Sequence, residues 1–227
     1  MGQLDTHIRV KLVSSLNRTG EDVFTSSQTF TVPNGVTSIQ VFVVGAGGGT
    51  HKTVIYSDGG YHFPGGGGGG YTNTCGLAVS PGDNISISIG SGVTASNGGD
   101  TVVGSITAKG GYVSKGGNGG NGGSGGGAGE GHASENVVYN SGAMPGGSDG
   151  GDGLRAGTWY TYPRGGIGQG TTTRAFGESE GTLYSTGGYG SGWFTSGSNG
   201  AENTGNGGSN GTNLIGGSGI AIIRWGN

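Results

Sequence analysis

Apolar and polar residues alternate at the two ends of this chain, and the alternation fades between them. Ile8, Val10 and Leu12 are spaced by Arg9 and Lys11, the period of two expected of a half-buried strand. Residues 24–32 and 36–44 flank Pro33-Asn34-Gly35 and predict strand, tight turn, strand, because proline presets a turn backbone and Asn-Gly tolerates the positive φ that follows. Residues 77–79 and the alternating Ile85, Ile87 and Ile89 flank Ser80-Pro81-Gly82-Asp83, which predicts a type II turn closing a hairpin. A shorter pair at 101–103 and 105–108 breaks at Gly104, and residues 220–225 supply a last strand. Short alternating strands joined by Gly/Pro turns predict an all-β fold with a sandwich or jelly-roll-like framework and little or no helix. Phe42 and Trp225 are expected in its core, and Cys75 is expected as a buried strand cysteine.

Composition changes the picture of the middle. Glycine supplies 62 of 227 residues against 5 prolines, which excludes collagen, whose triple helix needs a strict Gly-X-Y period and abundant proline. From residue 116 the chain reads GGNGGNGGSGGG, a period of three. Three residues per turn is the period of the extended polyproline/polyglycine II helix, so twelve residues predict a rod of roughly 37 Å at about 3.1 Å per residue. Asn118, Asn121 and Ser124 would lie on one edge and bare glycine on the other two. Such a helix has no internal hydrogen bonds, so rods that pack side by side satisfy one another's N–H and C=O groups, and only glycine permits the approach. Further candidate rods are 65–70, 146–153, 187–192 and 205–219. The expected organisation is an N-terminal strand and connector at 1–23, a β-framework from 24–112 together with 214–227, and a polyglycine II bundle with variable loops at 113–213.

Segments between the glycine runs hold most of the aromatic residues, which loops avoid unless they pack or bind. One cluster is Tyr56, Tyr61, His62 and Phe63. A second is Trp159, Tyr160 and Tyr162 with Arg155 and Arg164 beside it. A third is Tyr184, Tyr189, Trp193 and Phe194. Aromatic rings and arginine dominate interface hot spots, so these residues are the candidate binding set, with capping of the rod ends as the competing role.

Charge and motif content narrow the function classes. Ten Lys and Arg, scattered along a chain of net charge −3, do not make a phosphate-binding surface, so no nucleic-acid partner is expected. The longest purely apolar run, 41–44, is far short of a membrane span, and the N-terminus shows no signal-peptide core, so a chain made in the cytoplasm without membrane insertion is expected. A single cysteine excludes an intrachain disulfide framework. GxGxxG occurs repeatedly, but glycine at this frequency produces it by chance. His7, His51, His62 and His132 lack metal-ligand spacing, and Glu178 with Glu180 and Asp149 with Asp152 read as solvated loop carboxylates. No enzyme, metal or cofactor is expected.

FTSSQTFTVPNGVTSIQVFVVGAGGG, LAVSPGDNISISIG and GGSGIAIIRW, in that order, resemble the glycine-rich domain at the ends of phage and prophage tail-fibre proteins. Glycine runs alternating with aromatic segments also resemble the distal-tip adhesins of T-even-like phage long tail fibres, built on a sandwich of polyglycine II helices. The resemblance implies a virion protein at a tail-fibre tip, joined to the rest of the fibre, whose end loops bind a bacterial surface receptor such as lipopolysaccharide, capsule or an outer-membrane protein. The alternative is a glycine-rich structural or ice-binding polyglycine II protein, similar to the antifreeze proteins of springtails.

Overall fold

The computed structural model describes residues 19–51, 54–55, 61–115, 117–132, 138–140, 153, 173–191 and 196–226. The strand expected at residues 8–12 lies outside them. Eight strands build an antiparallel sandwich. One sheet has the order β1-β12-β3-β6, from Gly20–Phe24, Ile220–Trp225, Ser38–Val44 and Thr72–Ala78. The other has the order β2-β7-β8-β9, from Gln28–Thr31, Asn84–Ser88, Thr101–Val103 and Ile106–Ala108. Alternation decides the faces: Ile39, Val41 and Val43 of β3 meet Phe30, Ile87, Val103 and Ile106 between the sheets, while Phe42 and Val44 point the other way. Trp225 is partly buried at the core's margin, its ring 5.6 Å from that of Phe30.

The two predicted turns form, but neither closes a hairpin. Val36 N–H donates to Pro33 O at 3.2 Å with Gly35 at φ 85°, and Asp83 N–H donates to Ser80 O at 3.0 Å with Gly82 at φ 87°. Each turn carries the chain from one sheet to the other: β2 pairs with β7, and β3 with β6. The two run side by side, tied by Val32 N–H to Asp83 O and Gly82 N–H to Val32 O, both 2.9 Å. The reason is turn type. Type II geometry splays its flanking strands, whereas two-residue hairpins need the I′ or II′ twist. Residues 24–32 are likewise two strands, since the chain crosses between sheets at Thr25–Ser27, where Ser27 Oγ accepts from Ile89 N–H at 2.9 Å. The β8–β9 pair matches the prediction, with Gly104 at φ 56°.

Glycine-rich segments continue three strands of the first sheet as extended rods. β3 runs into 45–50, 64–71 runs into β6, and 214–219 runs into β12. The rod at 64–71 is the centre of the bundle, and its hydrogen bonds repeat every third residue. Gly66 and Gly69 donate to Gly127 and Ser124, Gly67 and Gly70 to Gly208 and Gly205, and Gly68 and Tyr71 to Tyr112 and Lys109, all at 2.8–3.0 Å. In return its carbonyls accept from Gly120 and Gly123, from Gly188, and from Gly48 and Gly45. Six segments thus surround one rod, which is polyglycine II packing with every backbone group directed sideways. The rod at 45–50 repeats the pattern, with Gly45 and Gly48, Ala46 and Gly49, and Gly47 and Thr50 each addressing one neighbour. That rod lies in the range read as framework, so sandwich and bundle share one continuous hydrogen-bonded lattice.

Residues 116–127 do not form one long rod. Gly126 N–H donates to Gly120 O and Gly129 N–H to Gly117 O, at 2.9 and 2.7 Å, so the run folds back at residues 123–124. Asn118 and Asn121 are exposed, and Ser124, at the fold, is fully buried. Residues 205–219 also double back, through Asn210 and Asn213 at φ 61° and 54°. A rod longer than the central one would overhang it and leave its N–H and C=O groups without lateral partners. Of the candidate rod at 146–153 only Gly153 is described, and it packs on Gly126 and Gly127.

Candidate functional site

The bundle has two ends, and the chain uses them differently. Rods leave the sandwich at 45–50, 109–114, 124–129, 185–191 and 205–209, and each hands the chain to a connection at the far end. The bases of these connections are stitched together. His51 N–H donates to Ser114 Oγ at 3.0 Å, Ser191 N–H to Pro64 O at 2.9 Å, Asn210 N–H to Tyr189 O at 2.8 Å, and Asn213 N–H to His51 O at 3.4 Å. The far ends of these rods therefore form a platform whose backbone is already hydrogen-bonded.

A small antiparallel sheet caps this end, with the order β11-β10-β5-β4 from Val138–Asn140, Glu130–His132, Tyr61–His62 and Val54–Ile55. Its register sets Tyr61 opposite His132 and Ile55, and His62 opposite Gly131, which pairs in turn with Tyr139. Two segments distant in sequence thus bring tyrosines and histidines to adjacent strands. Phe63 follows directly and is half-buried. Tyr189 stands at the same end, 38% exposed, with its N–H fixed to Ser209 Oγ at 2.8 Å.

The other expected residues divide in two. Tyr56, Trp159, Tyr160, Tyr162, Arg164, Trp193 and Phe194 lie outside the described residues. Tyr184 lies at the opposite end and is buried: its ring is 5.4 Å from that of Phe42, on the outer face of the first sheet. Burial, followed by the negative charge of Glu21, raises its phenol above 10.0. Phe176, at φ 54° in a single 3-10 turn at Ala175–Gly177, covers the same face. Arg224 locks this strap down. Its guanidinium binds Glu21 and Glu178, the latter at 2.7 Å, and lies 4.0 Å over the Phe176 ring. Burial alone would lower the Arg224 pKa, but the bonds to the two carboxylates outweigh it and raise it. Spacing in sequence gave no signal that Tyr184 and Tyr189, five positions apart, face opposite fates; the long reach of an extended rod separates them.

Cys75 is exposed on β6, contrary to the expectation of burial, because β6 is the outermost strand of its sheet. Tyr112 was not singled out from sequence, and it is 48% exposed on the bundle flank. On a rod at the flank of the bundle two positions of each three-residue turn face neighbouring rods and the third faces water, which is where Tyr112 and Tyr189 stand; the GGY triplet they share also ends in Tyr71 of the central rod, so sequence alone did not mark Tyr112. Among the described residues no three His, Cys, Asp or Glu side chains group to hold a metal ion.

The fold defines the class of protein: a β-sandwich prolonged by a polyglycine II bundle. Residues 23–226 match the family of the glycine-rich domain, and the chain belongs to that family. Comparison with curated proteins gives no match.

Proposed function

We propose that this chain is a tail-fibre tip adhesin of a bacteriophage, recognising a receptor on the bacterial surface through the loops at the far end of its bundle. The observation that carries this reading is the gathering of Tyr61, His62 and Tyr189 at one end of a backbone-bonded platform, opposite the end where the strap seals Tyr184 into the core. A rigid base lets the segments it carries vary in sequence without disturbing the fold, and a backbone already held in place loses little entropy on binding. The sequence resemblance to tail-fibre ends supports the same reading. On it the receptor is a surface glycan or an outer-membrane protein loop, since aromatic rings suit both, and the chain itself performs no catalysis.

The test is binding of the purified, labelled chain to whole host cells. Loss of one hot-spot aromatic typically costs at least 2 kcal/mol, or about thirtyfold in affinity. Tyr189→Ala, Trp159→Ala and Trp193→Ala are expected to weaken cell binding by that order with little change in the thermal transition. Cell binding that survives all three substitutions, or a parent chain that binds no cells and instead inhibits ice growth, overturns the reading.

A further inference from the structure

One flank of the bundle is built around the rod at 109–115, whose N–H groups address three neighbours in turn. Gly110 and Val113 donate to Asp100 Oδ1 and Asn97 Oδ1, both at 2.9 Å. Gly111 and Ser114 donate to Ala46 O and Gly49 O, and Tyr112 and Lys115 to Asn121 O and Asn118 O, at 2.7–3.1 Å. Its carbonyls at Tyr112 and Lys109 accept from Gly68 and Tyr71 of the central rod. The neighbours at 97–100, 45–50, 64–71 and 118–121 follow one another around the rod, since each adjacent pair is itself bonded: Ala46 N–H to Gly99 O, Gly48 N–H to Gly68 O, and Gly120 N–H to Gly66 O. Among the described residues they leave one open side, bordered by 97–100 and 118–121. On it stand Lys109, Tyr112 and Lys115, all exposed, at every third residue and so about 9 Å apart. Exposed Asn97 and Asp100 line one margin and exposed Asn121 the other. Among the described residues, no hydrogen bond or ion pair engages the side chains of Lys109, Tyr112, Lys115 or Asn121.

We propose that this flank binds an extended acidic polysaccharide, laid along the rod with a sugar ring on Tyr112 and carboxylates to either side on Lys109 and Lys115. Each position suits its share of such a chain. The electron-rich face of a tyrosine ring takes the polarised C–H face of a pyranose, and an ammonium takes a carboxylate through charge-assisted hydrogen bonds. The amides of Asn97 and Asn121 offer donors to hydroxyl groups on both sides of the ring. Spacing agrees as well: the interval of about 9 Å along the rod is close to one disaccharide repeat of an extended polysaccharide, so a polymer with one uronate per disaccharide runs in phase with it. Tyr112 is the row's sole exposed large apolar side chain, which fits a hydrated sugar chain better than a protein partner, whose interface needs an apolar core. The rod's backbone is held on three sides before any ligand arrives, so little ordering is left for binding to impose. The inference is independent of the receptor-binding reading, whose contacts lie at the far end.

The test is titration of the isotopically labelled full chain with hyaluronate oligosaccharides, which carry one carboxylate per disaccharide, followed through amide shifts by NMR. Saturable shifts are expected at 109–115 and Asn121 and none at Tyr189, with no response to neutral dextran. Binding is expected to weaken as salt is raised. Tyr112→Ala, and Lys109→Glu combined with Lys115→Glu, are each expected to weaken it by about tenfold or more, with the melting temperature held because all three side chains are exposed. Tyr189→Ala is expected to bind hyaluronate like the parent. Should a variant fail to fold, the shifts in the parent chain still locate the site. A parent chain that shows no saturable binding overturns the proposal. So do shifts confined to the far end and lost in Tyr189→Ala, and so does equal binding of polyphosphate that Tyr112→Ala leaves intact, which would be charge attraction alone.

Discussion

Glycine does two separable jobs in this chain, and single substitutions tell them apart. A Cβ at Gly68 would come closer than 3.0 Å to the carbonyl oxygen of Asn121, a backbone atom of a rod that is itself held by its neighbours. Gly68→Ala is expected to destabilise the protein by about 1–3 kcal/mol, as overpacking of a rigid core does, and to lower the melting temperature accordingly. At Gly76 the nearest atom to an added Cβ is 4.0 Å away and φ is ordinary. Gly76→Ala is expected to leave the melting temperature unchanged or raise it slightly, because alanine restricts the unfolded chain by about 0.4–1 kcal/mol. Equal losses in the two variants would contradict the packed-rod account. A pH effect also belongs at this scale. The folded-state pKa of Tyr184 is raised above 10.0, so below pH 10 the phenol is neutral in both states and contributes no pH dependence. Above pH 10 the unfolded chain loses the proton first, and stability falls as pH rises. Tyr184→Phe is expected to make that alkaline fall shallower in urea titrations.

At the scale of elements, turn chemistry decides which strands share a sheet. Asn-Gly and Pro-Gly were both legible as turns, and both form, yet the hairpin expected around residues 80–83 is an intersheet corner. A replacement of Ser80-Pro81-Gly82-Asp83 that favours type I′ geometry is expected to destabilise the sandwich, since it would draw β6 and β7 toward one sheet. The strap at 173–184 shows another limit of local reading. Glu178 was legible only as a solvated carboxylate, and it binds Arg224, 46 positions away in sequence, whose guanidinium also binds Glu21. Arg224→Ala removes both ion pairs and the cation–π contact with Phe176. Partly exposed pairs contribute up to about 1 kcal/mol each, so the melting temperature should move little. Local opening should rise instead, seen as faster amide exchange at Ala175, whose N–H donates to Thr182 O within the strap.

For the molecule as a whole, continuity of strand and rod makes sandwich and bundle one cooperative unit. The pairing of β3 with β6 does not stop at Val44 and Thr72; it proceeds through Gly45 N–H to Tyr71 O and Gly48 N–H to Gly68 O, at 2.9 and 2.8 Å. Amides of residues 66–71 are thus expected to exchange as slowly as those of β3, and to be lost in the same thermal transition. Linker-like exchange at these glycines, or a separate early transition, would show that the rods are not part of the folded core. By itself the sequence determined that the fold is β, that Gly35, Gly82 and Gly104 mark turns, that three-residue glycine periodicity builds rods, and that β12 runs from Ile220 to Trp225. These are consequences of local sterics and of side-chain period, which a short window of residues expresses completely. Tertiary structure decided which strands pair, that residues 116–127 and 205–219 fold back, that 45–50 is a rod, and that Tyr184 is buried while Cys75 is exposed. A polyglycine II rod has no hydrogen bonds of its own, so its length, direction and exposed edge depend on the segments that surround it, and those come from every part of the chain.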